Sequence, residues 1–146
     1  MKPFRFQYQK ILDVRSKEVD TAKSIYNKAV EDLDDARIIY DNYKNEEDQL
    51  QKKIASGTFL TTDELRANYQ YLVELRKKRE RQLLNVKELE KIMFIRHNEL
   101  VQAHKEEKKW DKLSQFKRDT YISEQIKLEQ MELDEISLQK YIMKNN

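Results

Sequence analysis

Two histidines and many carboxylates are the side chains of this sequence whose chemistry suits metal binding or proton transfer. His97 and His104 are seven residues apart, which on a helix separates them by about 10 Å along the axis. Helical residues that share one metal ion are normally three or four positions apart. The carboxylates need a concave pocket before a pair of them acts as acid and base. We therefore predict no catalytic residue and no metal site.

Glycine, proline and cysteine are nearly missing from the 146 residues, which include one Gly, one Pro and no Cys. A chain of this length normally has about ten Gly, because β-sandwiches, barrels and α/β domains need them in their turns. A single Gly excludes a glycine-rich phosphate loop. The lack of Cys excludes a disulfide, a thiolate nucleophile and a cysteine metal site. The sequence thus predicts a non-enzymatic protein without a cofactor.

Charged and hydrophobic residues each make up 38% of the chain, and 29 Lys and Arg nearly balance 27 Asp and Glu. Disordered chains tend to have a large net charge and few aromatic residues. Here the net charge is +2 and aromatic residues reach 10%, which favours long helices with apolar stripes. No stretch approaches the roughly 18 apolar residues of a membrane helix, and no signal peptide is expected. A cytoplasmic location is the default expectation.

Helix-breaking residues in the interior cluster around Gly57, which suits the left-handed position just past a helix C-terminus. Thr61 and Glu64 have the spacing of a capping box at the start of a helix. Pro3 fits the first turn of an earlier helix. We predict one coiled-coil domain over 1–146, with a first helix over about 4–55, a loop over 56–61 and a second helix over about 62–143.

The first helix carries a regular heptad repeat, whose positions a and d form the seam of a coiled coil. Twelve of the fourteen a and d residues are apolar or aromatic, and the exceptions are Arg15 and Glu47. Such a repeat predicts left-handed pairing with another helix. Position a contains Leu12, Val19, Tyr26, Leu33, Tyr40, Glu47 and Ile54, and position d contains Tyr8, Arg15, Ala22, Ala29, Ala36, Tyr43 and Leu50.

The second helix has a weaker pattern. Its stripe begins with Leu65, Tyr69 and Leu72, and two arginines then interrupt it. It resumes at Leu83 and Val86 out of step with the heptad, which predicts a small discontinuity. The later part of the stripe contains Val86, Leu89, Met93, Leu100, Ala103 and Trp110.

Charge favours pairing of the two helices with each other. If the chain turns back on itself at residue 59, a residue of the first helix faces a residue of the second helix when their two numbers add to 118. Residues 27–52 contain eight acidic and four basic residues, a net charge of −4, and residues 66–91 contain eight basic and four acidic residues, a net charge of +4. Facing segments of opposite charge predict a long antiparallel two-helix coiled-coil hairpin with a longer C-terminal helix.

The longer helix predicts an unpaired overhang. In the 118 register, residue 4 lies near 114, so 115–143 extend roughly 40 Å further. A single helix cannot bury the apolar residues of this segment, which therefore indicates a partner. These residues are Ile122, Ile126, Leu133 and Ile136 on one face, with Leu128, Met131 and Leu138 near another.

Basic residues crowd the predicted open end of the hairpin, where aromatic and apolar residues interleave with lysines. Two interpretations remain open: a solvated face with local pairs such as Glu106 with Lys109, or contact with an acidic protein surface. A second basic run, Arg76–Arg81, faces an acidic segment in the hairpin, so we expect no nucleic-acid partner. The open-end residues are Lys2, Arg5, Lys10, Lys105, Lys108, Lys109, Lys112, Lys117 and Arg118, with Trp110, Leu113 and Phe116 among them.

Several motifs, in order along the whole chain, resemble the FliJ family of the bacterial flagellar type III export apparatus. They are Phe4-Arg5-Phe6-Gln7 with Ile11-Leu12-Asp13-Val14-Arg15, Tyr69 with Leu72, the stretch Lys105–Arg118, and Glu132-Leu133-Asp134-Glu135-Ile136 with Tyr141. The chain departs from the family at Trp110-Asp111, where the family more often has Leu-Glu.

The resemblance implies a stalk similar to the γ subunit of rotary ATP synthases, with three kinds of partner. These are a hexameric export ATPase around the helix termini, a membrane export-gate protein at the tip, and export chaperones. The protein is then cytoplasmic and associated peripherally with the inner face of the cell membrane, without inserting into it. The expected ATPase contacts are Phe4, Arg5, Phe6, Lys109, Trp110, Lys112, Leu113, Phe116, Lys117 and Arg118, and the expected gate contacts are Tyr40, Tyr43, Tyr69 and Leu72.

Two alternatives use the same features differently. The apolar overhang is also consistent with a self-associating structural or scaffold coiled coil. The stalk architecture is equally consistent with the corresponding component of a virulence injectisome.

Overall fold

The computed structural model describes residues 2–57 and 61–145, and it confirms the predicted all-α class. Helix α1 spans Gln9–Ala55 and helix α2 spans Thr62–Asn145, and no β-strand occurs within the described ranges. Neither of these helices is apolar enough over a sufficient length to cross a membrane. Helix α1 begins at Gln9 rather than near residue 4, because residues 2–6 are not helical and 7–8 form a turn.

The two helix ends that flank the loop form as their residues predict. Gly57 has a φ of 66°, and its N–H donates to the carbonyl of Ile54 at 3.3 Å. At the start of α2, the side-chain oxygen of Thr61 accepts a 3.1 Å hydrogen bond from the backbone N–H of Glu64, which satisfies a donor that the helix leaves free. Residues 58–60 of the predicted loop lie outside the described residues.

The structure divides into two compact units. The loop unit is Thr21–Val101, and the terminal unit contains the residues up to Asp20 and from Gln102 onward. Both helices contribute to each unit, so each unit contains its own segment of α1 and its own segment of α2.

Burial in α1 confirms the predicted heptad. Every a and d position from Leu12 to Ile54 is buried or half-buried, while Tyr8, which precedes the helix, is 37% exposed. In the loop unit, Leu33 clusters with Val86 of α2. A second cluster includes Leu75 of α2, and both Leu33 and Leu75 are only 1% exposed. The core of this unit is therefore the thin seam that a coiled coil provides.

The seam of α2 is an unbroken heptad that passes through two polar residues. Between the buried Leu75 and Val86, the half-buried Arg79 and Gln82 keep the spacing of three and four. The side-chain amide of Gln82 donates a 2.9 Å hydrogen bond to a backbone carbonyl of α1. The predicted discontinuity at Leu83 is therefore wrong. The seam position is Gln82, whose side chain has a partner in α1, and not the neighbouring Leu83.

Contacts between α1 and α2 in the loop unit are antiparallel, about one helical turn away from the predicted register. The polar and aromatic pairs are Arg37–Glu90, Glu47–Arg76, Glu46–Tyr71 and Tyr26–His97. Their residue numbers add to between 117 and 127, and those of the clustered core residues Ala36 and Val86 add to 122. The predicted value of 118 came from placing the fold at residue 59, and the opposite net charges of the facing segments change little over one turn, whereas core packing selects the register.

Residues 2–8 reach further along α2 than a helix would allow. The ring of Phe4 lies against that of Tyr121, whereas the sequence placed residue 4 near 114. A non-helical backbone advances by more than the 1.5 Å per residue of a helix, which explains the longer reach. Every side chain from Ile126 to Asn145 is exposed, so the overhang comprises about 20 residues and roughly 30 Å rather than the expected 40 Å.

Candidate partner-binding sites

The terminal unit contains an aromatic cluster that joins the N-terminal residues to α2. The ring centroids of Phe4 and Tyr121 are 5.6 Å apart, as are those of Tyr8 and Trp110. Phe6 and Tyr8 pack edge to face at 5.8 Å, and Phe6 is 9% exposed. Aromatic pairs at such distances add to the free energy of burial. The cluster therefore holds residues 2–8 against α2 instead of letting them continue α1.

Two polar contacts strengthen this attachment. The hydroxyl of Tyr121 donates a hydrogen bond to the carbonyl of Lys2. The guanidinium of Arg118 lies 5.7 Å from the centre of the Phe4 ring, a distance suited to a cation–π interaction. A cavity of about 300 Å³ lies beside these groups, and its lining includes Arg5, Lys117 and Glu124.

The predicted ATPase contacts fall into two groups in the structure. Five of them have intrachain contacts or are substantially covered: Phe4, Phe6, Trp110, Leu113 and Arg118. The aromatic residues Phe4, Phe6 and Trp110 are therefore already engaged within the chain. The exposed group is Arg5, Lys109, Lys112, Phe116 and Lys117. Phe116 is 64% exposed, so it is the aromatic residue of this set that remains open to a partner.

The predicted gate contacts near the loop divide in the same way. Tyr40 and Tyr43 are half-buried and pack against the two core clusters of the loop unit. Leu72 is 3% exposed and belongs to the second cluster. Tyr69 is 51% exposed, since the half-buried position beside it is Asn68. Of the four, Tyr69 is the side chain that faces solvent.

Tyr71 is a further exposed aromatic residue near the loop that the sequence did not single out. Its hydroxyl donates a 3.3 Å hydrogen bond to a carboxylate oxygen of Glu46. The negative charge of Glu46 raises the pKa of Tyr71 above its usual 10.0, with smaller contributions from desolvation and the hydrogen bond. This hydrogen bond links the exposed ring on α2 to α1.

The overhang has two apolar faces. Since successive helical residues are separated by about 100°, the first face continues the seam and the second lies nearly opposite to it. The first face contains Leu128, Met131, Leu138 and Ile142, and the second contains Ile126, Leu133, Ile136 and Met143, with Ile122 one turn before the overhang. All nine are between 46% and 78% exposed. The sequence identified both stripes, and the structure confirms that they lie uncovered within the described residues.

A buried carboxylate in the loop unit was visible in the sequence only as an exception to the heptad. Glu47 is 3% exposed. Its carboxylate lies 3.2 Å from Nε of Arg76 and 2.7 Å from Nη1 of Arg79. The two arginines that seemed to interrupt the stripe of α2 are therefore the counterions of a seam position in α1. Only the correct register would have revealed this match.

The histidines and acidic residues form no metal site in the part of the chain that the structure describes. No group of three potential ligands among His, Asp and Glu lies together there. His97 instead packs against Tyr26, with ring centroids 5.5 Å apart.

Comparisons with known proteins give one consistent result. The model of the family described as "Flagellar FliJ protein" matches residues 4–146. The chain is also similar to the flagellar FliJ protein of Bacillus subtilis (strain 168), with 22% identity over 154 residues, covering 98% of this chain and 99% of the relative. No solved structure gives a significant match.

Proposed function

The chain belongs to the flagellar FliJ family, and from that premise we propose that it is the non-enzymatic stalk of the flagellar type III export apparatus. In this proposal the overhang of α2 enters the central channel of a hexameric export ATPase. The end near the loop contacts the membrane export gate, which associates the protein with the inner membrane face. The flagellar descriptions of both matches support this system over a virulence injectisome.

The observation that carries the proposal is the overhang with two exposed apolar faces. A helix that packs against one partner helix needs one apolar stripe, as α1 has. Leu128 and Leu138 lie on one face while Ile126 and Ile136 lie on the other, and all four are at least 48% exposed. A helix of this kind is expected to be surrounded on more than one side, which a channel through a ring of subunits provides.

Exposed basic residues near the base of the overhang support contact with an acidic rim. Lys112 and Lys117 have no ion pair within the described residues, and Phe116 lies exposed between them. Exposed charges mainly steer association and increase its rate. Lys109 contributes less, because its ammonium already pairs with Glu106 at 3.2 Å.

We assign the gate contact to the exposed aromatic side chains near the loop, of which Tyr69 is the strongest candidate. Leu72 is too deeply buried to touch a partner directly, so its part in this contact is to support the backbone beside Tyr69. Delivery of substrates by export chaperones follows from the same position between ATPase and gate. Substituting Tyr69 by Ala is expected to weaken gate binding while leaving stimulation of the ATPase unchanged.

Binding to the flagellar export ATPase of the same cell tests the proposal. Burial of one large aliphatic side chain contributes about 1.5 kcal/mol or more, so loss of two is expected to weaken binding about 100-fold. We predict this loss for Leu128→Ser with Leu138→Ser and also for Ile126→Ser with Ile136→Ser. The control is Gln130→Ser with Gln139→Ser in the same helix. Undiminished binding by both apolar variants would contradict the proposal.

A self-associating scaffold is the second candidate, because the first face of the overhang continues the heptad of the seam. Pairing of two overhangs along that seam would need Leu128 and Leu138 but not Ile126 and Ile136. The same variants therefore separate the two functions. Loss of a stable dimer in the first pair alone, without any effect on ATPase binding, would support the scaffold.

A further inference from the structure

The outward face of α1 in the loop unit is acidic around an exposed isoleucine. Ile38 is 58% exposed. Glu31 and Asp35 precede it and Asp41 follows it, all on the side of the helix away from the seam. None of these three carboxylates forms an ion pair within the described residues. Lys28, which pairs with Asp32, also interacts electrostatically with Glu31 and Asp35. This face is therefore an apolar centre with a net negative charge around it.

The outward face of α2 in the same unit has a small excess of basic residues, with Lys77, Arg81, Lys87 and Lys91 against Glu74, Glu80 and Glu88. Leu84 is 67% exposed. Arg81 precedes it, and Lys87 and Lys91 follow it, and none of these cations has an ion pair in the described part of the chain. Further along, Phe94 borders a shallow depression of about 560 Å³ that Lys87 and Lys91 also line.

These two faces match residue by residue along the axis. In the loop unit, residues whose numbers add to 122 lie at about the same height, as the core residues Ala36 and Val86 do. The outward residues obey the same sum in four pairs: Glu31 with Lys91, Asp35 with Lys87, Ile38 with Leu84, and Asp41 with Arg81. Two outward pairs of like charge, Asp34 with Glu88 and Asp48 with Glu74, also fall at this sum.

We propose that the loop units of two copies of this chain associate side by side, with the outward face of α1 on one copy against the outward face of α2 on the next. A sideways displacement without a shift along the axis brings three ion pairs together around an apolar contact between Ile38 and Leu84. The three attractive pairs outnumber the two repulsive pairs. The second copy is the favoured occupant because this chain itself carries the complementary face at the matching heights.

The geometry also determines the character of the association. The two surfaces differ, so the contact is heterologous and joins copies in a row instead of closing a dimer. Exposed ion pairs contribute little individually and are screened by salt. The association is therefore weak, depends on concentration and disappears at high ionic strength. It uses no residue of the terminal unit, which separates it from the proposed ATPase and scaffold contacts.

Sedimentation velocity of the full chain tests the inference at about 0.05 M and about 0.5 M salt. We expect larger species at low salt that revert to monomer at high salt. Reversing one face, by Glu31→Lys with Asp35→Lys or by Lys87→Glu with Lys91→Glu, places like charges together and should weaken self-association at least about tenfold. Leu84→Gln should also weaken it, because it removes the apolar centre.

Mixing the two charge-reversed variants is the decisive experiment. One variant then has two basic faces and the other two acidic faces, so each binds the other and the mixture should regain the association that each variant lacks. Lys127→Glu with Lys140→Glu changes the net charge by the same amount as Lys87→Glu with Lys91→Glu, but outside the faces, and serves as the control for that variant. A monomeric chain at low salt, unaffected self-association in the reversed variants, or a mixture that stays monomeric would overturn the inference.

Discussion

Removing the two arginines that pair with Glu47 should destabilise the protein far more than removing the glutamate itself. The side chain of Glu47 is 4% exposed, whereas those of Arg76 and Arg79 are 46% and 30% exposed. Without the glutamate, both guanidinium groups can turn towards water. Without the arginines, a carboxylate stays in the seam with no counterion, because its backbone position on α1 keeps it there.

The asymmetry can be expressed as free energies of unfolding. A buried charge that loses its partners typically costs about 3–5 kcal/mol, so we expect Arg76→Leu with Arg79→Leu to cost about 3 kcal/mol. Glu47→Leu places an apolar residue at an a position, and the loss of exposed pairs costs only about 1 kcal/mol or less. Combining all three substitutions should recover most of the stability lost in the double variant.

Urea unfolding followed by far-ultraviolet circular dichroism measures all four proteins. The predicted order of midpoints places the double arginine variant lowest and the triple variant well above it. Arg96→Leu, at a half-buried position paired within its own helix with Glu99, is the control for loss of an arginine. Equal destabilisation by Glu47→Leu and the double variant would refute the reasoning, because it would show that burial of the carboxylate does not govern the site.

Three other perturbations test particular features of the fold. Leu75→Ala, at a side chain that is 1% exposed, should cost about 2–5 kcal/mol in urea unfolding, whereas Ile38→Ala, at 58% exposure, should cost less than about 0.5 kcal/mol. Gly57→Ala should lower the free energy of unfolding by about 1 kcal/mol, because φ is 66° and a side chain disfavours this left-handed conformation. No atom lies within 4 Å of the added Cβ, so a steric clash does not contribute. An unchanged urea midpoint would contradict this prediction. Glu46→Gln should lower the pKa of Tyr71 towards its usual 10.0 in a carbon-13 NMR titration of labelled tyrosine. Because the pKa of Tyr71 is raised in the folded state, the protein loses stability as pH rises above the unfolded-state pKa, and Glu46→Gln should lessen this loss. No change in the titration would show that Glu46 is not the cause.

The heptad and the loop ends of the helices were predictable because they depend on local sequence. Apolar residues at a and d identify the buried stripe of α1 without knowledge of the partner. Gly57 and Thr61 indicate helix ends through conformational and capping preferences that act within a few residues. These features were confirmed where the structure describes them.

The course of the α2 seam and the arrangement of residues 2–8 were not predictable in this way. Arg79 and Gln82 occupy seam positions because their polar groups find partners on α1, and a pattern of apolar residues cannot identify them. Phe4 leaves the helical conformation because its ring contacts Tyr121 of α2, and the ring of Phe6 packs against Tyr8. Both cases depend on the register, which tertiary packing selects.

The candidate sites show the same division. The overhang stripes were visible as apolar residues without a predicted partner, and the structure leaves them exposed. Trp110 and Leu72 looked equally available in the sequence, yet contacts within the chain cover them. Exposure of an aromatic residue therefore had to come from the structure, and among the predicted contacts it selects Phe116 and Tyr69 as the aromatic side chains most open to a partner.

The rate of ATP hydrolysis by the flagellar export ATPase in the presence of this protein tests the central claim most directly. A stalk that occupies the channel of the ring should raise the rate, because it stabilises the assembled hexamer. The Ile126→Ser and Ile136→Ser variant should raise it much less, and the Gln130→Ser and Gln139→Ser control should act like the unaltered chain. An unchanged rate with the unaltered chain, at concentrations where the ATPase is partly assembled, would contradict the account.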